Sequence, residues 1–180
     1  MRLFIFLTLL TLAILGLAYP CGDQERDVIN RLNCHRDQTK LAIDQAKTLD
    51  DTGGGQWMFT TAGIEELASD IKTTVAISNE SHYSGLSTTS TLLGSYHEFG
   101  TQVTELMKIL IARGKAGALN LLPSQKQQVH DLLVRFQESE GGLANFLHTL
   151  LDDEDARRAL HRIQRALFDV ERDAIAAYQG

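Results

Sequence analysis

The chain has 180 residues, only 2 of them proline, and a formal net charge of −6 at pH 7. That length supports one domain with a sizeable core. A net-acidic chain without a basic run gives no support to nucleic-acid binding, nor to electrostatic docking on anionic lipid.

Residues 1–18 read as a targeting segment. Arg2 supplies a short positive region, and Leu3–Leu15 is an apolar stretch broken only by Thr8 and Thr11. Gly16-Leu17-Ala18 then fits the small-x-small cleavage rule. The alternative is a membrane anchor. Against it, the apolar run is shorter than the ~20 residues that span a bilayer, and no stop-transfer charge cluster follows at once. The pattern predicts cleavage after Ala18 and a secreted chain in which residues 19–180 form a single helical-bundle domain, with no transmembrane segment.

Cys21 and Cys34 both lie beyond that cleavage site. In a secreted protein an intramolecular Cys21–Cys34 disulfide is favoured over free or intermolecular thiols. A helix rises about 1.5 Å per residue, so the bond needs several non-helical residues after Cys21.

A first helix is predicted from about Glu25 to Leu49. Val28, Ile29, Leu32, Ala42, Ile43, Ala46 and Leu49 keep a helical period, which His35, Arg36 and Thr39 interrupt on the same side. Asp50, Asp51, Thr52 and the run Gly53-Gly54-Gly55 end it. Trp57, Met58 and Phe59 follow, where the loop approaches the next helix. They form either a hydrophobic staple, the favoured reading, or an exposed contact patch.

A second helix covers about Thr60–Ser78, burying Ile64, Leu67, Ala68, Ile71 and Val75, with Glu65, Glu66 and Asp70 towards water. Ser78–Ser90 is rich in Ser, Thr and Gly and reads as a loop carrying the glycosylation acceptor pattern Asn79-Glu80-Ser81.

A third helix spans Ser90 to about Gly114. Leu92, Leu93, Tyr96, Phe99, Val103, Leu106, Met107, Leu110 and Ile111 recur at steps of three and four. A surface helix shows a stripe of roughly 100°; the adjacent apolar pairs make this one wider, as for a helix with neighbours on several sides. It is therefore expected in the middle of the bundle.

Pro123 blocks continuation, and Ser124 with Gln127 is expected to cap a fourth helix through a capping box. Val129, Leu132, Leu133, Phe136, Leu143, Phe146, Leu147 and Leu150 make its buried face. Gly141-Gly142 falls inside that pattern, at a cost of roughly 1 kcal/mol each relative to Ala. The helix is thus expected to kink there or to pack closely on a neighbour; either outcome could shape a cavity, and the plainer alternative is a tolerated bend.

A fifth helix opens with Asp152, Asp153, Glu154 and Asp155 at the positive end of its dipole. A metal site is one reading of four acids; screening by Arg157 and Arg158 is the favoured one. Ala156, Leu160, Ile163, Leu167, Val170, Ala174, Ala177 and Tyr178 carry the stripe onward. Five amphipathic helices with short loops predict an all-α bundle, without a coiled-coil heptad run or a solenoid repeat.

Nothing in the pattern performs chemistry. His35, His82, His97, His130, His148 and His161 are spread singly, and are expected at surface or half-buried positions. None forms a zinc spacing, and there is no nucleophile elbow or phosphate loop. No catalytic residue, metal ligand or cofactor site is expected, so binding is favoured over catalysis.

Leu110-Ile111-Ala112-Arg113-Gly114-Lys115, followed by Ala118-Leu119-Asn120-Leu121-Leu122-Pro123, resembles a junction found in one fungal family. The family comprises hydrophobic surface-binding protein A and the cell-wall galactomannoproteins. Asp131-Leu132-Leu133, Gly142-Leu143-Ala144-Asn145-Phe146-Leu147 and the ending Asp173-Ala174-Ile175-Ala176-Ala177-Tyr178 are similar to its later helices. Cys21, Cys34, Trp57 and a more charged fifth helix depart from its pattern. The resemblance implies a secreted, non-enzymatic glycoprotein, extracellular or in the cell wall. It implies binding of a fatty acid or a hydrophobic surface as partner, with wall components as further partners. Under that reading Leu67, Ile71, Tyr96, Phe99, Phe136, Leu143 and Phe146 are candidate ligand-lining residues; equally, each fills a packed core. The alternative is a secreted interaction or effector protein without a ligand cavity.

Overall fold

The structure, a computed structural model, describes residues 28–47, 54–80, 89–115 and 121–179, with side chains at 28–47, 60–77, 89–115 and 121–179. The targeting segment and Cys21 lie outside the described residues, as does the side chain of Asn79. Five helices carry the fold: α1 Val28–Lys47, α2 Gly54–Glu80, α3 Thr89–Lys115, α4 Pro123–Thr149 and α5 Glu154–Ala176. Among the described residues there is no strand, as the all-α reading expects.

The helices close into a ring. α1 packs on α2 and α3, α5 packs on α3 and α4, and α4 packs on α2. α3 and α4 follow each other in the chain, yet their backbones are not neighbours. The wide stripe of α3 therefore serves two helices, α1 and α5, and its inner residues reach the centre. Tyr96, Phe99, Val103, Leu106 and Leu110 are fully buried. Gly100 makes the α3–α5 crossing tight, since an added Cβ would come within 3.1 Å of Leu167. Near the other end of α3 the Tyr178 hydroxyl donates to the Leu110 carbonyl at 3.0 Å.

Three helix boundaries differ from the sequence reading. α2 starts at Gly54, so Gly54 and Gly55 are helical and Trp57, Met58 and Phe59 lie in its first turns. The glycine penalty is weakest in a first turn, where the amides have no helical partner in any case. At its other end α2 runs to Glu80, which puts Asn79 in the last turn and not in a loop.

α4 is capped two residues earlier than expected. Leu122 is the extended cap residue and Pro123 the first helical one, where a missing amide hydrogen costs nothing. Gln125, not Gln127, reaches back, with Oε1 accepting from the Leu122 amide at 2.8 Å. Gln127 instead donates to Asp131 at 2.7 Å.

The acids before α5 serve the helix terminus. Asp153 accepts from the Ala156 amide at 2.9 Å. Arg158 pairs with Asp155 at 2.7 Å, and Arg157 Nε donates to the Leu151 carbonyl at 2.7 Å.

Candidate functional site

α2 and α4 lie side by side, and the flank where they meet is a half-open groove of about 620 Å³. Helical spacing builds both walls: Glu65, Ala68, Ser69, Lys72 and Val75 come from α2, and Leu132, Arg135, Glu138, Ser139 and Gly142 from α4. Ala68 and Leu132 are buried and form an apolar floor, which Val75 extends. Arg135 Nη1 bridges the rim to Glu65 Oε1 at 3.2 Å, an exposed pair that contributes little to stability. Lys72 is exposed beside it.

Gly142 explains part of the opening. α4 passes through Gly141 and Gly142 without interruption, and a Cβ added at either would meet nothing within 4 Å. The glycines neither break the helix nor bring a neighbour close. The one at 142 leaves space on the groove wall.

The seven residues expected to line a ligand, Leu67, Ile71, Tyr96, Phe99, Phe136, Leu143 and Phe146, are all buried in the core, and none borders the groove. The structure brings them together in the interior, with the Tyr96 and Phe99 rings tilted at a centroid distance of 6.3 Å.

The core also holds polar groups in two clusters. The first joins α1 to α2. Arg31 Nη1 donates to Thr74 Oγ1 at 3.3 Å, and His35 Nε2 lies 3.0 Å from the same oxygen. Gln38 Nε2 donates to Asp70 at 2.6 Å, and the Thr39 hydroxyl to the His35 carbonyl at 2.7 Å. His35 is fully buried, against the expectation of a surface or half-buried place. Burial lowers its pKa, while Gln38 and Asp70 oppose that shift and Arg31 adds to it.

The second cluster spans the ring interior. The Tyr96 hydroxyl of α3 donates to Glu140 Oε1 of α4, and Glu171 of α5 stands next to them. Glu140 is 2% exposed and Glu171 1%. Neither Glu171 oxygen has a hydrogen bond of ordinary geometry, and neither has Gln137 Nε2. Burial pushes the Glu140 carboxyl up, with Tyr96 opposing. Glu171 is pushed up by burial and then by Glu140; the Gln137 amide is near enough to favour ionisation but is outweighed.

Sequence reasoning missed both carboxyls, Arg31 and the groove. A signal for the first three existed. Glu140 lies four residues after Phe136 and three before Leu143, Glu171 four after Leu167 and three before Ala174, and Arg31 three after Val28. All sit on apolar stripes.

No family model and no curated protein matches the chain. Among solved structures, the crystal structure of AfMP4p, an Aspergillus fumigatus mannoprotein, in complex with palmitic acid is similar. Its TM-score is 0.72, covering 84% of this chain and 97% of that one at 13% identity. The two chains share a fold. Among the described residues, no helix is long and apolar enough to cross a membrane.

Proposed function

We propose that the chain is a secreted, non-enzymatic protein that binds a fatty acid or a similar apolar ligand, or adsorbs to a hydrophobic surface. On this reading it is a distant member of the hydrophobic surface-binding protein A and galactomannoprotein family, extracellular or held in the cell wall. The observation that carries the reading is the α2/α4 groove of about 620 Å³, which has an apolar floor and, at its walls, Lys72 and Arg135 beside Glu65 and Glu138. That volume is in the range of small-ligand sites, ~300–1,000 Å³. Support also comes from AfMP4p, a chain of the same fold crystallised with palmitic acid.

An acyl chain would lie on Ala68, Val75, Leu132 and Gly142, with its carboxylate towards Lys72 and Arg135. Each buried methylene contributes about 0.8 kcal/mol, so ~10 of them give about 8 kcal/mol before ordering costs. Micromolar affinity is within reach.

The test is titration of the folded, delipidated protein with a long-chain fatty acid, together with retention on a hydrophobic matrix. Gly142→Trp should weaken binding at least tenfold with the circular dichroism unchanged. Saturable binding that ignores Gly142→Trp would move the ligand to the core residues around Phe99 and Phe136. The tight packing of that core favours a second reading, a secreted interaction protein, which takes over if neither uptake nor retention is seen.

A further inference from the structure

We propose that Tyr96, Glu140 and Glu171 form a proton-held latch across the interior of the bundle, closed while the two carboxyls keep their protons. When it opens, the α3–α4–α5 packing loosens, and with it the α4 wall of the groove. The consequence for a ligand rests on the groove reading; the latch itself does not.

The geometry is specific. The Tyr96–Glu140 hydrogen bond joins α3 to α4, two helices with no direct backbone packing. Glu171 reaches the same place from α5. Two carboxylates in one buried site repel each other, and each resists desolvation. Among the described residues no basic side chain acts on either: the groups facing the pair are Tyr96 from α3 and Gln137 from α4. Arg31 and His35 of α1 are engaged with Thr74 of α2. Glu171 with both oxygens unpaired is a costly group as a carboxylate and a tolerable one as a neutral acid. On α4 the latch residue Glu140 is flanked by Glu138, Ser139 and Gly142, all on the groove wall.

The sign follows from proton linkage. Both carboxyls are raised above the ordinary glutamate value of 4.5, so the folded state holds protons that the unfolded chain releases. Their contribution is full below that value and is lost as pH rises through the folded values. In that window the unfolding constant rises by up to about tenfold per pH unit for each retained proton. His35 shifts in the opposite direction and favours folding as pH rises; it is common to wild type and variants, so their difference isolates the latch.

The experiment compares thermal unfolding of the full chain from pH 5 to pH 9 in wild type, Glu171→Gln and Glu140→Gln/Glu171→Gln. The wild type should lose stability relative to the double variant as pH rises, and Glu171→Gln should fall between them. Parallel curves for wild type and double variant overturn the latch. Should the double variant not fold, the wild-type infrared spectrum decides. A protonated-carboxyl band at neutral pH that bleaches towards pH 9 supports the proposal, and its absence overturns it. A long-chain alcohol, which does not titrate, reads the groove: its affinity should fall with pH in the wild type and stay level in Glu171→Gln. A pH-dependent stability difference without any alcohol binding would leave the latch standing and remove the groove reading.

Discussion

Tyr96→Phe keeps the buried ring and removes one hydroxyl, so it separates a hydrogen bond from a packing contact. The hydroxyl donates to Glu140, which at 2% exposure is shut off from bulk solvent. Leaving such an acceptor unpaired costs about 1–3 kcal/mol. Denaturant unfolding at pH 6 should show a loss of that size, and a change of only a few tenths would mean that the bond is not formed in solution. At this scale the sequence was only partly readable. The apolar members of each stripe are plain in the sequence, and the structure buries most of the described ones and half-buries the rest. Arg31, His35, Glu140 and Glu171 occupy the same stripes, but a charged residue on an apolar face registers as an interruption, because burying an ion without a partner is costly. What permits them is tertiary: Thr74 from α2 for Arg31 and His35, the Tyr96 hydroxyl from α3 for Glu140, and for Glu171 a retained proton in place of a partner. No local pattern encodes those partners.

Among the helices, two glycines make opposite demands. At Gly142 a Cβ meets nothing, so Gly142→Ala should stabilise the chain by up to ~1 kcal/mol through helix propensity alone. At Gly114 it would come within 3.1 Å of both the Ala177 Cβ and the Ala177 carbonyl oxygen, so Gly114→Ala should lower the melting temperature despite the same propensity gain. Melting curves of the two variants, run side by side, check the pair; a rise in both would show that the C-terminal residues do not dock as described. Glycine is also where the helix reading failed. Gly54 and Gly55 read as a stop, yet they begin α2, whereas Gly141-Gly142 reads as a kink or a close contact and is uninterrupted helix with open space beside it. Glycine lowers the local preference for helix and does not decide it. The long packed faces of α2 and α4 outweigh a penalty of about 1 kcal/mol per residue. The cap at Leu122 is hard to see in the sequence for a related reason: Pro123 reads as a stop, and it is equally suited to a first helical position.

For the whole molecule, maturation and cross-linking set the first expectations. Cleavage after Ala18 predicts that N-terminal sequencing of secreted protein starts at Tyr19. The proposed Cys21–Cys34 bridge ties the segment before α1 to the half-buried Cys34 and should stabilise by about 3 kcal/mol in the chain-entropy model. Non-reducing peptide mapping should recover the linked pair, whereas two alkylatable thiols in secreted protein would rule it out. The bundle itself was legible from five periodic stripes; the ring order was not, because periodicity says which face of a helix is buried and nothing about which helix covers it.

That ring order bears on how the chain is made. α1–α2 and α4–α5 are hairpins of sequential helices and can pair as soon as both members exist. α3 pairs with neither of its neighbours in sequence; one side packs on α1, and the other waits for α5. Until α5 leaves the ribosome, the side of α3 around Gly100 has no cover, and the Leu110 carbonyl lacks the Tyr178 hydroxyl. Synthesis therefore leaves the decisive closure to its final stage. Nascent chains stalled before Glu154 should be cut readily by protease within α3, and release of the full chain should abolish that cleavage.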